Sequence, residues 1–203
     1  MTAALRDRAK ARLCDAFAAV PGDAPTLCEG WDAHDLAVHL WVLKHDPLSW
    51  PGDVLPPYRR ISRERAARIK HRWSYGELVE QLRLDPGSIL VMPTDALEGH
   101  RHALGEYVMH TLDVTRANGL PEQPSDPALD EALWRRVLVA ARALHVISTP
   151  GLELRLPDGR SARIVPRWPG RRVVVTGTPT ELMCWVYGRT DAADVEVQHP
   201  ESR

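Results

Sequence analysis

The change of residue grammar near Thr149-Pro150-Gly151 constrains this chain most. Before it, apolar residues recur at helical intervals between helix-stopping Gly and Pro residues. After it, Leu152-Glu153-Leu154-Arg155-Leu156 alternates strictly, Pro157-Asp158-Gly159 reads as a turn, and residues 161–165 are again strand-like. The expectation is therefore two domains: a helical bundle over residues 1–149 and a small α/β domain over 150–203. Within the first, helices are expected over 2–20, 32–46, 62–72, 74–84, 103–117 and 128–147. Asp32, Ser74 and Asp126 serve as caps, Ser74-Tyr75-Gly76-Glu77 forms a capping box, and Asn118-Gly119 is a left-handed stop. Residues 47–58 hold Pro47, Pro51, Gly52, Pro56 and Pro57 and read as a long irregular loop, while residues 89–92 form a short apolar connector or extended segment. In the second domain, strands are expected over 172–176 and 195–197, with a Thr-capped helix over 180–187 between them.

Charge narrows the classes of partner. Lys and Arg number 26 against 27 Asp and Glu, so no global field draws the chain to phosphate backbones, and nucleic acid is not an expected partner. The basic run from Arg59 to Arg72 is interleaved with Glu64 and reads as a solvated helix face. No apolar run approaches the roughly 20 residues of a membrane span, and the first residues mix charges without an apolar core, so a cytoplasmic protein is expected. Cys14, Cys28 and Cys184 show neither paired number nor C-x-x-C spacing, which argues against a disulfide framework and a thiolate zinc knuckle. Any metal should therefore be held by histidine and carboxylate. No G-x-S-x-G, G-x-G-x-x-G or P-loop occurs.

At 100° per residue, His39 falls inside the apolar arc of Leu36, Val38, Leu40, Val42 and Leu43, and so points inward. On the 103–117 helix, Glu106, His110 and Asp113 share an arc of about 60° beside the stripe of Ala103, Leu104, Tyr107, Val108 and Val114. A carboxylate and an imidazole one turn apart can bind one ion, and an imidazole from a facing helix would supply a third ligand while leaving positions open. Each half also has an ordinary reading. A lone inward histidine is often a hydrogen-bonded core residue, and a Glu–His pair at i, i+4 can be a surface pair worth about 0.2–0.5 kcal/mol. Periodicity leaves open whether the two helices face each other. Of the remaining histidines, His100 and His102 precede the second of these helices and either line a pocket or are solvated.

A resemblance adds to this reading. Leu27-Cys28-Glu29-Gly30-Trp31-Asp32-Ala33-His34-Asp35-Leu36-Ala37-Val38-His39-Leu40 resembles the start of the second helix in the DinB-like metal-binding bundles, in the actinobacterial branch named after mycothiol-dependent maleylpyruvate isomerase. Gly105-Glu106-Tyr107-Val108-Met109-His110-Thr111-Leu112-Asp113, continuing to Gly119, is similar to that branch's second motif. Residues 173–182 with Gly188-Arg189 resemble its small C-terminal α/β domain. The implied fold is mainly α, a DinB-like four-helix bundle followed by that small domain. The implied ligands of a divalent metal, usually zinc, are His39, Glu106 and His110, with Asp113 either a partner supporting them from behind or a solvent-facing one; nickel, manganese and iron suit the same donors.

The activity implied is that of a metal-dependent transferase or isomerase using a low-molecular-weight thiol, mycothiol or a relative, against a small electrophile. Arg189, or else Arg172 or Arg167, would meet an anionic substrate or the thiol's polar groups, unless these are surface arginines. Residues 47–100 carry no motif specific to the isomerase, so the named isomerisation is not implied. The alternative is a non-catalytic metal-binding or stress-response protein of the same fold.

Overall fold

A computed structural model describes residues 2–46, 56–85, 95–122, 124, 126–145, 151–165 and 172–199. The Pro-rich segment 47–55 and the apolar run 89–92 lie outside the described residues. The chain divides into two compact units, residues 1–123 and 124–203.

The first unit is helical: α1 (Thr2–Ala18), α2 (Ala33–His45), α3 (Arg59–Arg72), α4 (Tyr75–Leu84), the short α5 (Asp95–Glu98) and α6 (Arg101–Ala117). α1 packs on α6 and α4, and α2 packs on α4 and α3. The core is built from one stripe of each long helix: Leu13 and Phe17 of α1, Leu36 and Leu40 of α2, Leu78 of α4, and Leu104 and Val114 of α6, all fully buried or nearly so. α3 buries none of its residues. It is held to α2 by charge instead, Arg65 bonding both oxygens of Asp46 at 2.6 and 2.7 Å and Lys70 reaching Asp32 and Asp35.

Helix ends follow their caps. Asp32 and Asp35 form a reciprocal capping box at α2, and Ser74 and Glu77 do the same at α4. α6 ends at Asn118, and Gly119 takes the left-handed conformation (φ 62°) expected of a stop. Its start has no local signal. His100 sits at φ 70° without capping by its side chain, and the backbone N–H of Ala103 is satisfied by the buried Asp95 carboxylate at 2.9 Å.

The second unit contains α7 (Pro127–Leu144), a four-stranded sheet and α8 (Pro179–Val186). Strands β1 (Gly151–Arg155) and β2 (Ser161–Val165) form the expected hairpin; β3 (Arg172–Thr176) and β4 (Glu196–Gln198) complete the order β2-β1-β3-β4. β1 and β3 pair in parallel, the two outer pairings being antiparallel. Thr178, rather than Thr180, caps α8, with Pro179 in the first turn. Gly177 is required there because a Cβ would lie 2.9 Å from Val195 Cγ1.

Helical periodicity groups α7 with the preceding helices, in a first domain ending at residue 149. In the structure α7 belongs instead to the second unit, because its apolar stripe packs on α8 and β2. Among the described residues, no helix is long and apolar enough to cross a membrane.

Candidate metal centre

The site is assembled in the first unit from α2, α6 and the turn that precedes α2. Asp32 caps the start of α2, and the helical rotation per residue puts His39 on the arc it shares with Leu36, Leu40 and Leu43. The imidazole is half-buried. On α6, Glu106, His110 and Asp113 occupy successive turns of one face, as their spacing requires.

One donor atom each from His39, Glu106 and His110 lie within 4.8 Å of one another. The two imidazoles meet edge to face with ring centroids 5.4 Å apart. Glu106 Oε2 is 3.3 Å from His110 Nε2. That separation equals the spacing of about 3.3 Å between two ligand atoms bound tetrahedrally at 2.0–2.1 Å. On the far side of the ring, His110 Nδ1 donates to Asp113 Oδ2 at 2.8 Å. Asp113 is fully buried and His110 nearly so.

This arrangement fits a cation. With Nδ1–H committed to Asp113, the other nitrogen of a neutral His110 presents a lone pair to the Glu106 carboxylate. Two acceptors at 3.3 Å need a positive centre between them, either a proton on Nε2 or a metal. Without a cation the proton takes that place. Burial works against the charged imidazole, but hydrogen bonds to Asp113, Cys28 and Glu106 hold its pKa well above the ordinary value. Burial likewise opposes the Glu106 carboxylate, and is outweighed by the His110 hydrogen bond and by the charges of His110, His102 and His39, which pull its pKa down to about 2.

Residues outside the expected ligand set also contribute. His102 Nε2 stands 3.8 Å from Glu106 Oε1, so of the two histidines at the start of α6 it borders the site. His100 is turned to Arg6, 2.7 Å from Nη1. Trp31, 40% exposed, lies over His39 at a centroid distance of 5.1 Å. Cysteine spacing sets Cys28 aside as a ligand in favour of histidine and carboxylate, and otherwise Cys28 enters only through the motif before α2; in the structure its Sγ donates to Asp113 Oδ2 at 3.2 Å, and Cys28, His110 and Asp113 form a second cluster of possible ligands. Its position in the motif, just ahead of the helix bearing His39, is the available signal. Arg189 lies in the second unit, where its Nη1 donates to the Tyr187 carbonyl at 2.8 Å. Arg172 bonds the buried Glu153 at 2.9 Å. Arg167 lies outside the described residues.

No protein-family profile matches the sequence, and no curated protein matches it either. Solved structures do. A histidine-to-alanine mutant of the mycothiol-dependent maleylpyruvate isomerase superposes with a TM-score of 0.60 at 16% identity, covering 100% of this chain and 93% of that one. A second crystal structure of the mycothiol-dependent maleylpyruvate isomerase gives 0.59 at 15%, with the same coverage. The chain therefore shares the fold of that isomerase, with a helical bundle and a small α/β portion.

Proposed function

We propose that this protein is a metal-dependent transferase or isomerase that employs a low-molecular-weight thiol of the mycothiol type against a small electrophile. The observation that carries the reading is the convergence of His39, Glu106 and His110, from two separate helices, to within 4.8 Å of one another. It is supported by a fold shared with a mycothiol-dependent isomerase. The three residues would hold a divalent cation, zinc being the first choice for two imidazoles and a carboxylate. Such a cation stabilises the thiolate of a bound thiol, whose pKa is otherwise about 8.5, and so supplies a nucleophile near neutral pH.

The chain's own side chains prepare this. Asp113 keeps the proton on His110 Nδ1, which leaves Nε2 free as a donor toward the cation. Glu106 is ionised throughout the physiological range and contributes the negative charge that two neutral imidazoles lack. Burial of Asp113 and His110 keeps water from competing for these bonds. Arg189 is proposed as the group that binds an anionic substrate.

Metal content of the wild type beside His39→Ala, and loss of free thiol on adding an electrophile with and without chelator, test the reading. Stoichiometric metal that falls in the variant, with metal-dependent thiol consumption, is expected. Equal metal in both proteins overturns the ligand set. Metal retained with no thiol consumed selects the non-catalytic metal-binding alternative.

A further inference from the structure

The turn ahead of α2 is tied to α6 at the level of the candidate centre. The backbone N–H of Leu27 donates to the Asp113 carbonyl at 3.1 Å, and Asn118 Nδ2 donates to the Pro25 carbonyl at 2.9 Å. The turn is closed internally by Thr26, whose Oγ1 donates to the Trp31 carbonyl at 2.8 Å and accepts from the Cys28 N–H at 3.2 Å. So held, Cys28 brings its thiol to Asp113 Oδ2, the same oxygen that accepts the His110 Nδ1 proton.

Asp113 is fully buried, so bulk water cannot solvate this carboxylate, and its orientation is set by protein donors. Each donor that a carboxylate gains narrows rotation about its terminal torsion. A second donor on the same oxygen, coming from a different element, fixes the plane in which the imidazole must lie. A thiol suits the place, being a weak donor on a small apolar body that sits against a core without requiring further partners.

We propose that Cys28 is a positioning residue for the metal centre: through Asp113 Oδ2 it locks the ring orientation and tautomer of His110, and so sets how tightly the centre holds a divalent cation. The proposal rests on the metal reading above. Outer partners of metal-bound histidines typically govern affinity by about 10–100-fold, and Cys28 acts one bond further out through a weaker donor, so the lower end of that range applies.

The experiment is Zn²⁺ affinity by chelator competition on the purified full chain, for wild type, Cys28→Ala, Cys28→Ser, Asp113→Asn and the Cys28→Ala/Asp113→Asn double variant. Thermal unfolding of the metal-free forms is followed in parallel. Cys28→Ala is expected to bind zinc about 10-fold more weakly with little change in metal-free stability. Cys28→Ser, which keeps a donor, should recover most of the loss. The double variant should lose clearly less than the sum of the two single losses, because Cys28 and Asp113 hold the same imidazole. Wild-type affinity in Cys28→Ala overturns the proposal, as does a loss that adds in full to that of Asp113→Asn. The absorption of the Co²⁺-loaded protein excludes or reveals direct ligation: a near-ultraviolet thiolate-to-cobalt band that vanishes in Cys28→Ser would make Cys28 a ligand and also overturn it. A wild type that takes up no zinc brings down the metal reading, and this inference with it. Normal wild-type binding with an unaffected Cys28→Ala brings down this inference alone.

Discussion

His110 and Asp113, three residues apart on one helix, are joined by a 2.8 Å hydrogen bond from Nδ1 to Oδ2 in a region closed to solvent. The bond commits one ring nitrogen and leaves the other to face Glu106. It connects the helix's internal spacing to a chemical property of the site, because a neutral imidazole so held has its lone pair on the side where His39 and Glu106 converge.

Asp113→Asn preserves the shape and removes the charge. The carboxamide oxygen can take the place of Oδ2 and still accept from Nδ1 and the thiol, but as a neutral acceptor it holds and polarises the imidazole less strongly than a carboxylate. Zinc affinity is expected to fall by about 10–100-fold, read by chelator competition. Unchanged affinity would detach Asp113 from the centre.

The metal-free protein should have a stability plateau bounded on both sides. The folded pKa of Glu106 is lowered from 4.5 to about 2, so its contribution is present above about pH 4.5 and is lost as pH falls toward 2. His110 is raised well above 6.5, so its contribution is complete below pH 6.5 and is lost as pH rises through the folded value. Urea midpoints measured against pH should therefore be highest from about 4.5 to 6.5 and decline on the alkaline side. Zinc should remove the alkaline decline and release protons on binding, because it displaces the proton on Nε2. A profile that is level from about pH 6 upward in the metal-free protein would contradict the coupling.

Trp31 lies 5.1 Å from His39, ring to ring, and reports on the centre. Titration with Co²⁺ or Ni²⁺ should quench part of the tryptophan emission, and Trp31→Phe should abolish most of that quenching. Trp31 is 40% exposed, so the substitution should cost little stability. Undiminished quenching in Trp31→Phe would place the bound ion elsewhere.

Asp32→Ala tests how α2 is set. It deletes one half of the capping box, where the Asp35 N–H donates to Asp32 Oδ1 at 2.7 Å, together with the Lys70 contact at 3.0 Å. A loss of about 1–2 kcal/mol is expected from urea unfolding, with a smaller loss for Lys70→Ala, since that pair is partly exposed. Equal stability of Asp32→Ala and wild type would show that α2 is positioned by core packing alone.

Arg189→Ala separates substrate binding from metal binding. Under the proposed function it should raise KM for an anionic electrophile while leaving zinc content unchanged. Unaltered KM would return Arg189 to a structural role, consistent with its bond to the Tyr187 carbonyl.

Local chemistry alone made much of the chain readable. The caps at Asp32, Ser74 and Asp126, the stop at Asn118-Gly119 and the hairpin turn at Pro157-Asp158-Gly159 all act within a few residues, and each is where the residue types placed it. The shared face of Glu106, His110 and Asp113 arises in the same way from the fixed rotation per residue of a helix.

What tertiary structure decided lies beyond that range. No pattern within α2 or α6 states that His39 and His110 come within 5.4 Å; that results from how whole apolar stripes pack. Nor does any local signal pair Asp95 with the start of α6, Cys28 with Asp113, β1 in parallel with β3, or α7 with the sheet rather than the bundle. Backbone geometry dictates the direction of each side chain within its own element. Which elements become neighbours is settled by the summed burial of many apolar groups, a non-directional force that leaves no mark on any single residue.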